Sequence, residues 1–307
     1  MSEQNNYNYI VETLSPCDFD EWVAHCGSIF EVGPEYFRRH FVSDPHRDYN
    51  SVFIIKNEEG KIISTVRVFQ RQVYIGEKIY KMGGIGEVST NTNYRRWGLS
   101  AKLLDAATDY MIKNDFYLSM LGTGYHSHYA KHGFMQVKSY NKNISNTKIN
   151  NGTTPDIRPL NSDNFHDMAM LYNKYCVNLN CCMVRTKEYW EVWCEKEINN
   201  PYGLFKDDKL TGYICFNWNQ VSEIVADEND YDVLLSVISS NNEKINLPKF
   251  VKTSRKVLDE SHNDGEMICV YKPIDVDGKG KILSETAEVV EYLNNNGGIV
   301  MWGQDGF

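Results

Sequence analysis

Apolar residues recur at helical spacing through DFDEWVAHCGSIFEVGPEYFRRHF, where Phe19, Trp22, Val23, Cys26 and Phe30 share a face. That spacing predicts helices through about residue 41, with Asp18 at the N-cap. The period then changes to two. SVFIIKNEEGKIISTVRVFQRQVYI alternates β-branched and aromatic residues around NEEG, which predicts a hairpin followed by a third strand from Val73 to Ile75. GGIGEVST reads as one more short strand. SAKLLDAATDYMIKN places Leu103, Leu104, Ala107 and Met111 on one helix face, and Asn114 ends it. FYLSML is a strand, SHYAKH a short helix ending at Gly133, and FMQVKSY a further strand.

Residues 141–156, NKNISNTKINNGTTPD, are polar and unpatterned, which is how a linker reads. After it the order of elements begins again. IRPLNSD is a loop, the stretch bearing Leu171, Tyr175, Tyr189, Trp190 and Trp193 is helical, GLFKDDKLTGYICFNW is a hairpin, and SEIVADENDYDVLLSVISS is strand then helix. Four parts are therefore expected: a first domain over 1–140, a linker over 141–156, a second domain over 157–273, and a terminal helix and tail over 274–307. No residue-level repeat supports the duplication, which lies in the order of elements alone.

Composition changes this picture little. Hydrophobic residues make up 42% and charged ones 24% of the 307, so the chain can bury a core. Acidic residues outnumber basic ones 41 to 32 for a net charge of -9, with no lysine and arginine stripe, which argues against nucleic acid as a partner. The eight cysteines are scattered without a CxxC pair, so neither zinc nor a disulfide framework is signalled and no metal is expected. No apolar run approaches the roughly 18 residues of a membrane span and no signal peptide is evident, so no membrane association is expected and the cytosol is the expected compartment. A homo-oligomer is compatible with the sequence and is not specified by it.

One short stretch carries chemistry. NYRRWGLSAKLL places Arg95, Arg96, Trp97, Gly98 and Ser100 at the entrance of an amphipathic helix. A helix N-terminus presents unpaired N–H groups and the positive end of its dipole, so a loop adding arginine charge and a glycine for close backbone approach makes an anion site suited to a pyrophosphate. The dipole alone contributes roughly 0.3 to 2 kcal/mol, so the arginines and N–H bonds must supply most of the grip. Ser100 either caps the helix or donates to an oxygen. An ordinary capped helix with two solvated arginines is the competing reading.

Arg95-Arg96-Trp97-Gly98-Leu99-Ser100, between a strand and a helix, resembles the acetyl-coenzyme A arm of the GNAT superfamily of N-acetyltransferases, Arg/Gln-x-x-Gly-x-Gly/Ala, with Ser100 as a small departure. Downstream, Tyr129-Ala130-Lys131-His132-Gly133-Phe134 resembles the family's Tyr-x-x-x-Gly-Phe segment. The two lie in the family's order, and the likeness spans roughly residues 50–140. The tandem layout is similar to the enhanced-intracellular-survival acetyltransferases, whose further sterol-carrier-like domain this chain is too short to contain in full.

The resemblance implies an α/β (α+β) fold of two tandem GNAT-like domains, each a mixed, mostly antiparallel sheet flanked by helices. It implies acetyl-coenzyme A as cosubstrate, backbone groups of Val88, Ser89 and Thr90 paired with the pantetheine arm, and residues 95–100, Leu99 included, around the pyrophosphate. Tyr129 would be the general acid for transfer to a primary amine, with a small cationic acceptor favoured. The second half reads Ala226-Asp227-Glu228-Asn229-Asp230 at the corresponding junction, and its carboxylates would repel a pyrophosphate.

An alkyl amine is mostly protonated at pH 7, so the chemistry also needs a base. Candidates are Glu87 on the strand beside the arm, the histidines 126, 128 and 132 near Tyr129, and the chain's own end. The enhanced-intracellular-survival enzymes use their terminal carboxylate, which implies the Phe307 carboxylate, with Asp305, at the acceptor site. A module that binds coenzyme A without catalysis is the alternative, and a protein-interaction scaffold is a third reading.

Overall fold

The computed structural model describes residues 8–147, 154–238 and 243–306. In the first half, β1 (Val11–Thr13), β2 (Val52–Lys56), β3 (Ile62–Ile75), β4 (Lys78–Thr90) and β5 (Leu118–Gly122) are neighbours in that order. Strand alternation explains why both faces of this sheet are apolar. Val52 and Ile54 pack with Trp22, Val23, Cys26, Phe37 and Phe41 of helices α1 (Phe19–Phe30) and α2 (Pro34–Ser43). Phe53 and Ile55 point the other way, onto Leu103, Leu104, Ala107 and Met111 of α3 (Leu99–Lys113). The sheet is thus sandwiched between two helical layers.

The strands continue as β6 (Met135–Ser145), β7 (Asp156–Pro159), β8 (Pro201–Lys206), β9 (Lys209–Asn217), β10 (Gln220–Ala226), β11 (Lys244–Pro248) and β12 (Val257–Val270). All twelve form one sheet in the order β1-β2-β3-β4-β5-β12-β6-β11-β10-β9-β8-β7. The halves mirror each other: β4 and β5 are parallel, and so are β10 and β11, while the other neighbours are antiparallel. Each half lends its last strand to the other. β12 closes onto β5, β6 closes onto β11, and the two lent strands pair at the centre.

Several sequence expectations change. Val73 to Ile75 is no separate strand but the end of the fourteen-residue β3, and GGIGEVST is the second part of a thirteen-residue β4. Asp18 stands at the N-cap of α1 without capping it, because its carboxylate accepts from Ser15 Oγ at 2.6 Å and meets Lys56 Nζ at 2.9 Å. The expected linker is shorter than 141–156: residues 141–145 complete β6 against β11 and β12, and Asp156 begins β7. Lys142 and Ile144 are buried while Asn141, Asn143 and Ser145 are partly exposed, so the strand does alternate, but a lysine in the buried register hides its apolar period. Of the eight cysteines, Cys17 is exposed and the other seven are buried.

Candidate active site

β4 pairs with β5 only from Met82 to Gly84, and beyond that point the two parallel strands part. On the β3 side, the Ser89 carbonyl accepts from Ser64 Oγ at 2.9 Å and the Asn91 N–H donates to the Ile63 carbonyl at 2.8 Å. Alternation then turns the backbone groups of Val88 and Thr90 into the gap left by β5. Ser89, expected with them, faces β3 instead. Its side chain is buried, with Oγ 3.0 Å from His25 Nε2.

The gap leads to the entrance of α3. Gly98 is the N-cap, in left-handed conformation at φ 77°, and Arg96 is left-handed at φ 67°. Successive left-handed and right-handed residues turn neighbouring N–H groups toward one point, the geometry of an anion nest. No side chain caps the helix, and its first turn has no acidic residue. Ser100 is therefore inside the helix rather than its cap, and its Oγ is 3.4 Å from His128 Nε2. Arg95, Arg96, Trp97 and Gly98 are exposed, Arg95 Nε donates to the Thr90 carbonyl at 3.3 Å, and Trp97 packs on Tyr9 and Tyr94. Leu99 lies in the core and offers only its backbone. The N–H groups of the first turn of α3, two exposed arginines and the strand edge that β5 leaves open fit a pyrophosphate with an extended amide arm behind it.

Glu87 lies at the point where β4 bulges. Between the pairs Thr65↔Ser89 and Arg67↔Gly86, Glu87 and Val88 stand together opposite Val66, and Glu87 takes φ 54°. Such a conformation costs a non-glycine residue about 1 to 2 kcal/mol, and bulges of this kind re-aim side chains beside active sites. Val88 packs on the α3 side, and Glu87 is turned toward α1 and α2. Its side chain is only 7% exposed, with Oε1 3.4 Å from Arg67 Nη1 and Oε2 buried without a partner among the described residues. Burial pushes the carboxyl up to about 7, against the opposing pull of Arg67.

Tyr129 ends the short helix α4 (His126–Tyr129) on the other face of the sheet, buried among Leu99, Phe134 and Met267. Among the described residues no hydrogen bond reaches its hydroxyl, and burial raises its proton affinity. The three histidines lie on this same side: His128 beside Ser100, His132 Nδ1 3.0 Å from Asp105, and His126 against Gln136. The space near Glu87 is bounded by α2 and by residues of the second half. Tyr36 and His40 on α2 stack at 3.9 Å, and His40 approaches Trp193 and Glu197. Burial, then the carboxylates of Glu197 and Glu87, raise the proton affinity of the Tyr36 hydroxyl.

The tail does dock, but in the second half. Trp302 packs on Phe250, residues 299–303 line a cavity of about 200 Å³ with Gln220 and Ser222 of β10 and Asn246 and Pro248 of β11, and Asp305 is fully buried against Arg185. Tail residues thus occupy the gap between β10 and β11, the counterpart of the gap between β4 and β5. Asp305, expected at the acceptor site, is instead locked in an ion pair, and Phe307 lies outside the described residues. At the second junction the Asp227 carboxylate accepts the Asn229 N–H, and only the four-residue helix Tyr231–Leu234 follows a short 3₁₀ turn. Neither the tail's position nor the role of Asp305 leaves a trace in local sequence pattern. Among the described residues no group of His, Cys, Asp or Glu is arranged to hold a metal ion, and no helix is long and apolar enough to cross a membrane.

A mixed sheet with a parallel pair that splays at a bulge, beside a helix with an uncapped cationic entrance, is the GNAT acetyltransferase architecture. Residues 11–137 match the family model of the acetyltransferase (GNAT) domain. Similar solved structures include a GCN5-related N-acetyltransferase from Kribbella flavida, with 16% identity over 85% of this chain and 70% of that one, at TM-score 0.67. Eis1 from Mycobacterium abscessus is similar over 87% of this chain and 77% of its own, with 12% identity and TM-score 0.62. Saccharomyces cerevisiae N-myristoyltransferase with bound myristoyl-CoA is similar over 78% and 72%, with 10% identity and TM-score 0.52. At these identities the likeness is one of fold. No curated protein sequence matches the chain significantly.

Proposed function

We propose that the chain transfers the acetyl group of acetyl-coenzyme A to a primary amine by direct attack, with both substrates bound together. The observation that carries this reading is Glu87, buried at the bulge of β4 just beyond the point where β4 leaves β5, with Tyr129 on the other face of the sheet. The entrance of α3, with Arg95, Arg96 and the N–H groups following Gly98, would hold the pyrophosphate, and the free edge at Val88 and Thr90 the pantetheine arm. The bound cosubstrate supplies an activated acetyl thioester.

Glu87 accepts a proton from the ammonium form of the acceptor, directly or through one water. A carboxylate at about 7 rather than 4.5 reduces the uphill cost of that transfer by about 3 kcal/mol. The amine nitrogen then bonds to the acetyl carbon, the C–S bond breaks, Tyr129 gives its proton to the departing thiolate, and the second proton shed by the new amide nitrogen returns through water to the Tyr129 oxygen while Glu87 releases its own to solvent. A raised proton affinity keeps Tyr129 in its acidic form at neutral pH. Tyr36 and Glu197, flanking the Glu87 side, suit an acceptor that is cationic before it reacts. A buried Asp305 supports Glu87 over the tail as the base.

The experiment is release of coenzyme A thiol from acetyl-coenzyme A across a panel of polyamines, lysine-like amines, aminoglycosides and peptide N-termini. Turnover with any amine supports transfer. Tight coenzyme binding with no thiol release from any acceptor would leave a binding module.

A further inference from the structure

Asp44, just beyond α2, is fully buried and holds two arginines of β3 at once. Arg67 Nη2 donates to Oδ2 at 2.9 Å, and Arg71 Nη1 donates to Oδ1 at 2.9 Å and to Oδ2 at 3.0 Å. Arg67 is itself fixed between two rings, its guanidinium carbon 3.9 Å from the centre of Phe69 and 4.8 Å from that of Phe41. Among the described residues it reaches Glu87 only by one long contact of 3.4 Å through Nη1, and its Nε has no partner. A guanidinium left to itself beside a buried carboxylate would form a short two-pronged pair. Here the stronger bond goes to Asp44.

We propose that Asp44 is a positioning residue for Glu87: by sharing its carboxylate between Arg67 and Arg71, it holds Arg67 back from a full ion pair and so keeps Glu87 able to accept a proton. This rests on reading Glu87 as the base. The groups that face Glu87 are Arg67 from β3, Asp44 from the end of α2, Tyr36 from α2 and Cys26 from α1. Cys26 is uncharged, because burial pushes its thiol far up, and burial likewise keeps Tyr36 protonated. The local balance is therefore set by Glu87, Arg67, Asp44 and, one step further, Arg71.

The arrangement also ties the site to the second half. The Arg71 guanidinium lies 5.5 Å from the ring centre of Tyr189 and 5.8 Å from that of Trp193. Those rings cover the outer side of the cluster, so the charge partner of Asp44 is kept from water by residues more than a hundred positions away in sequence.

Two substitutions push in opposite directions. Asp44→Asn removes the negative charge and frees Arg67 to turn onto Glu87, which would then hold its proton less tightly. Arg71→Met leaves Asp44 less neutralised and drawing harder on Arg67, so Glu87 would hold its proton more tightly. The readout is direct: the carboxyl ¹³C resonance of Glu87, assigned by its loss in Glu87→Gln, titrated in the full chain and compared with the pH profile of kcat/KM. The midpoint should move about one pH unit down in Asp44→Asn and move up in Arg71→Met, and the kcat/KM limb should follow. Unmoved midpoints, or both moving the same way in folded variants, overturn the proposal, and if Asp44→Asn fails to fold, Arg71→Met alone decides by its sign. If the resonance moves as stated while Glu87→Gln keeps wild-type turnover, the positioning stands and the reading of Glu87 as base falls.

Discussion

Arg185 grips Asp305 through Nε at 2.9 Å and Nη2 at 2.8 Å, and neither side chain reaches solvent. Arg185 also holds Glu223 through Nη1 and Nη2, and the Tyr213 hydroxyl donates to Glu223. Removing one member of a buried pair costs about 3 to 5 kcal/mol, because the other is left desolvated. Asp305→Ala is expected near the lower end, since Glu223 still faces Arg185. Chemical denaturation checks this. A loss under about 0.5 kcal/mol, the size of an ordinary surface change, would mean that the tail does not hold the second half together.

The cationic entrance of α3 should dominate coenzyme binding. Each of Arg95→Ala and Arg96→Ala is expected to raise the Kd for coenzyme A about tenfold or more, the equivalent of losing one charge-assisted bond of about 1.5 to 3 kcal/mol. Calorimetric titration at two salt concentrations should show a shallower salt dependence in each variant.

Gly98→Ala separates backbone from space. Nothing lies within 4 Å of an added Cβ, yet φ is +77°, so the change meets no clash and still strains the turn by about 1 kcal/mol. Weaker coenzyme binding with little loss of thermal stability is the expected pattern. Equal affinity for coenzyme A would show that the left-handed turn is not needed for the anion.

Because the Tyr129 hydroxyl has no hydrogen-bond partner among the described residues, Tyr129→Phe should leave stability within about 0.5 kcal/mol. Turnover should nevertheless fall by about a hundredfold or more if the hydroxyl supplies the proton. Steady-state rates beside a melting curve test both halves of the statement.

Stability should fall in acid through the buried His25 and the half-buried His40. Burial lowers His25 and His40 to about 4, below their unfolded value of 6.5. Between those limits the unfolded chain binds protons that the folded chain refuses, so the contribution is present above about 6.5 and is lost as pH falls toward 4. Glu87 acts in the opposite sense between 4.5 and about 7. Comparing His40→Gln with the parent cancels that effect. Urea midpoints from pH 7.5 to 4.5 should fall less steeply in the variant.

Much of the first half was legible because its signals are local. The apolar face of α3, the turn at NEEG and the paired motifs at Arg95 and Tyr129 are each written within a few residues. What escaped depends on distant partners. β12 is largely exposed over VLDESHN, so it has no alternating apolar face, and only its pairing with β5 and β6 makes it a strand. The polar end of β6 looked like a linker because Lys142 stands in its buried register. Glu87 was visible as a candidate, but its environment comes from Asp44 and Arg67, which lie 43 and 20 positions earlier and are placed by α2 and β3.

The lent strands also bear on how the chain comes to be folded during synthesis. When a ribosome has released everything through Gly133, the arm, its helix, Glu87 and Tyr129 are all present, yet one edge of β5 is still bare. Its cover, Val257–Val270, emerges more than a hundred residues later. A nascent first half must therefore wait with an open edge, a state inviting wrong partners. A fragment ending near residue 145 would carry that vulnerability permanently, so the two halves share one folding event although each has its own layout.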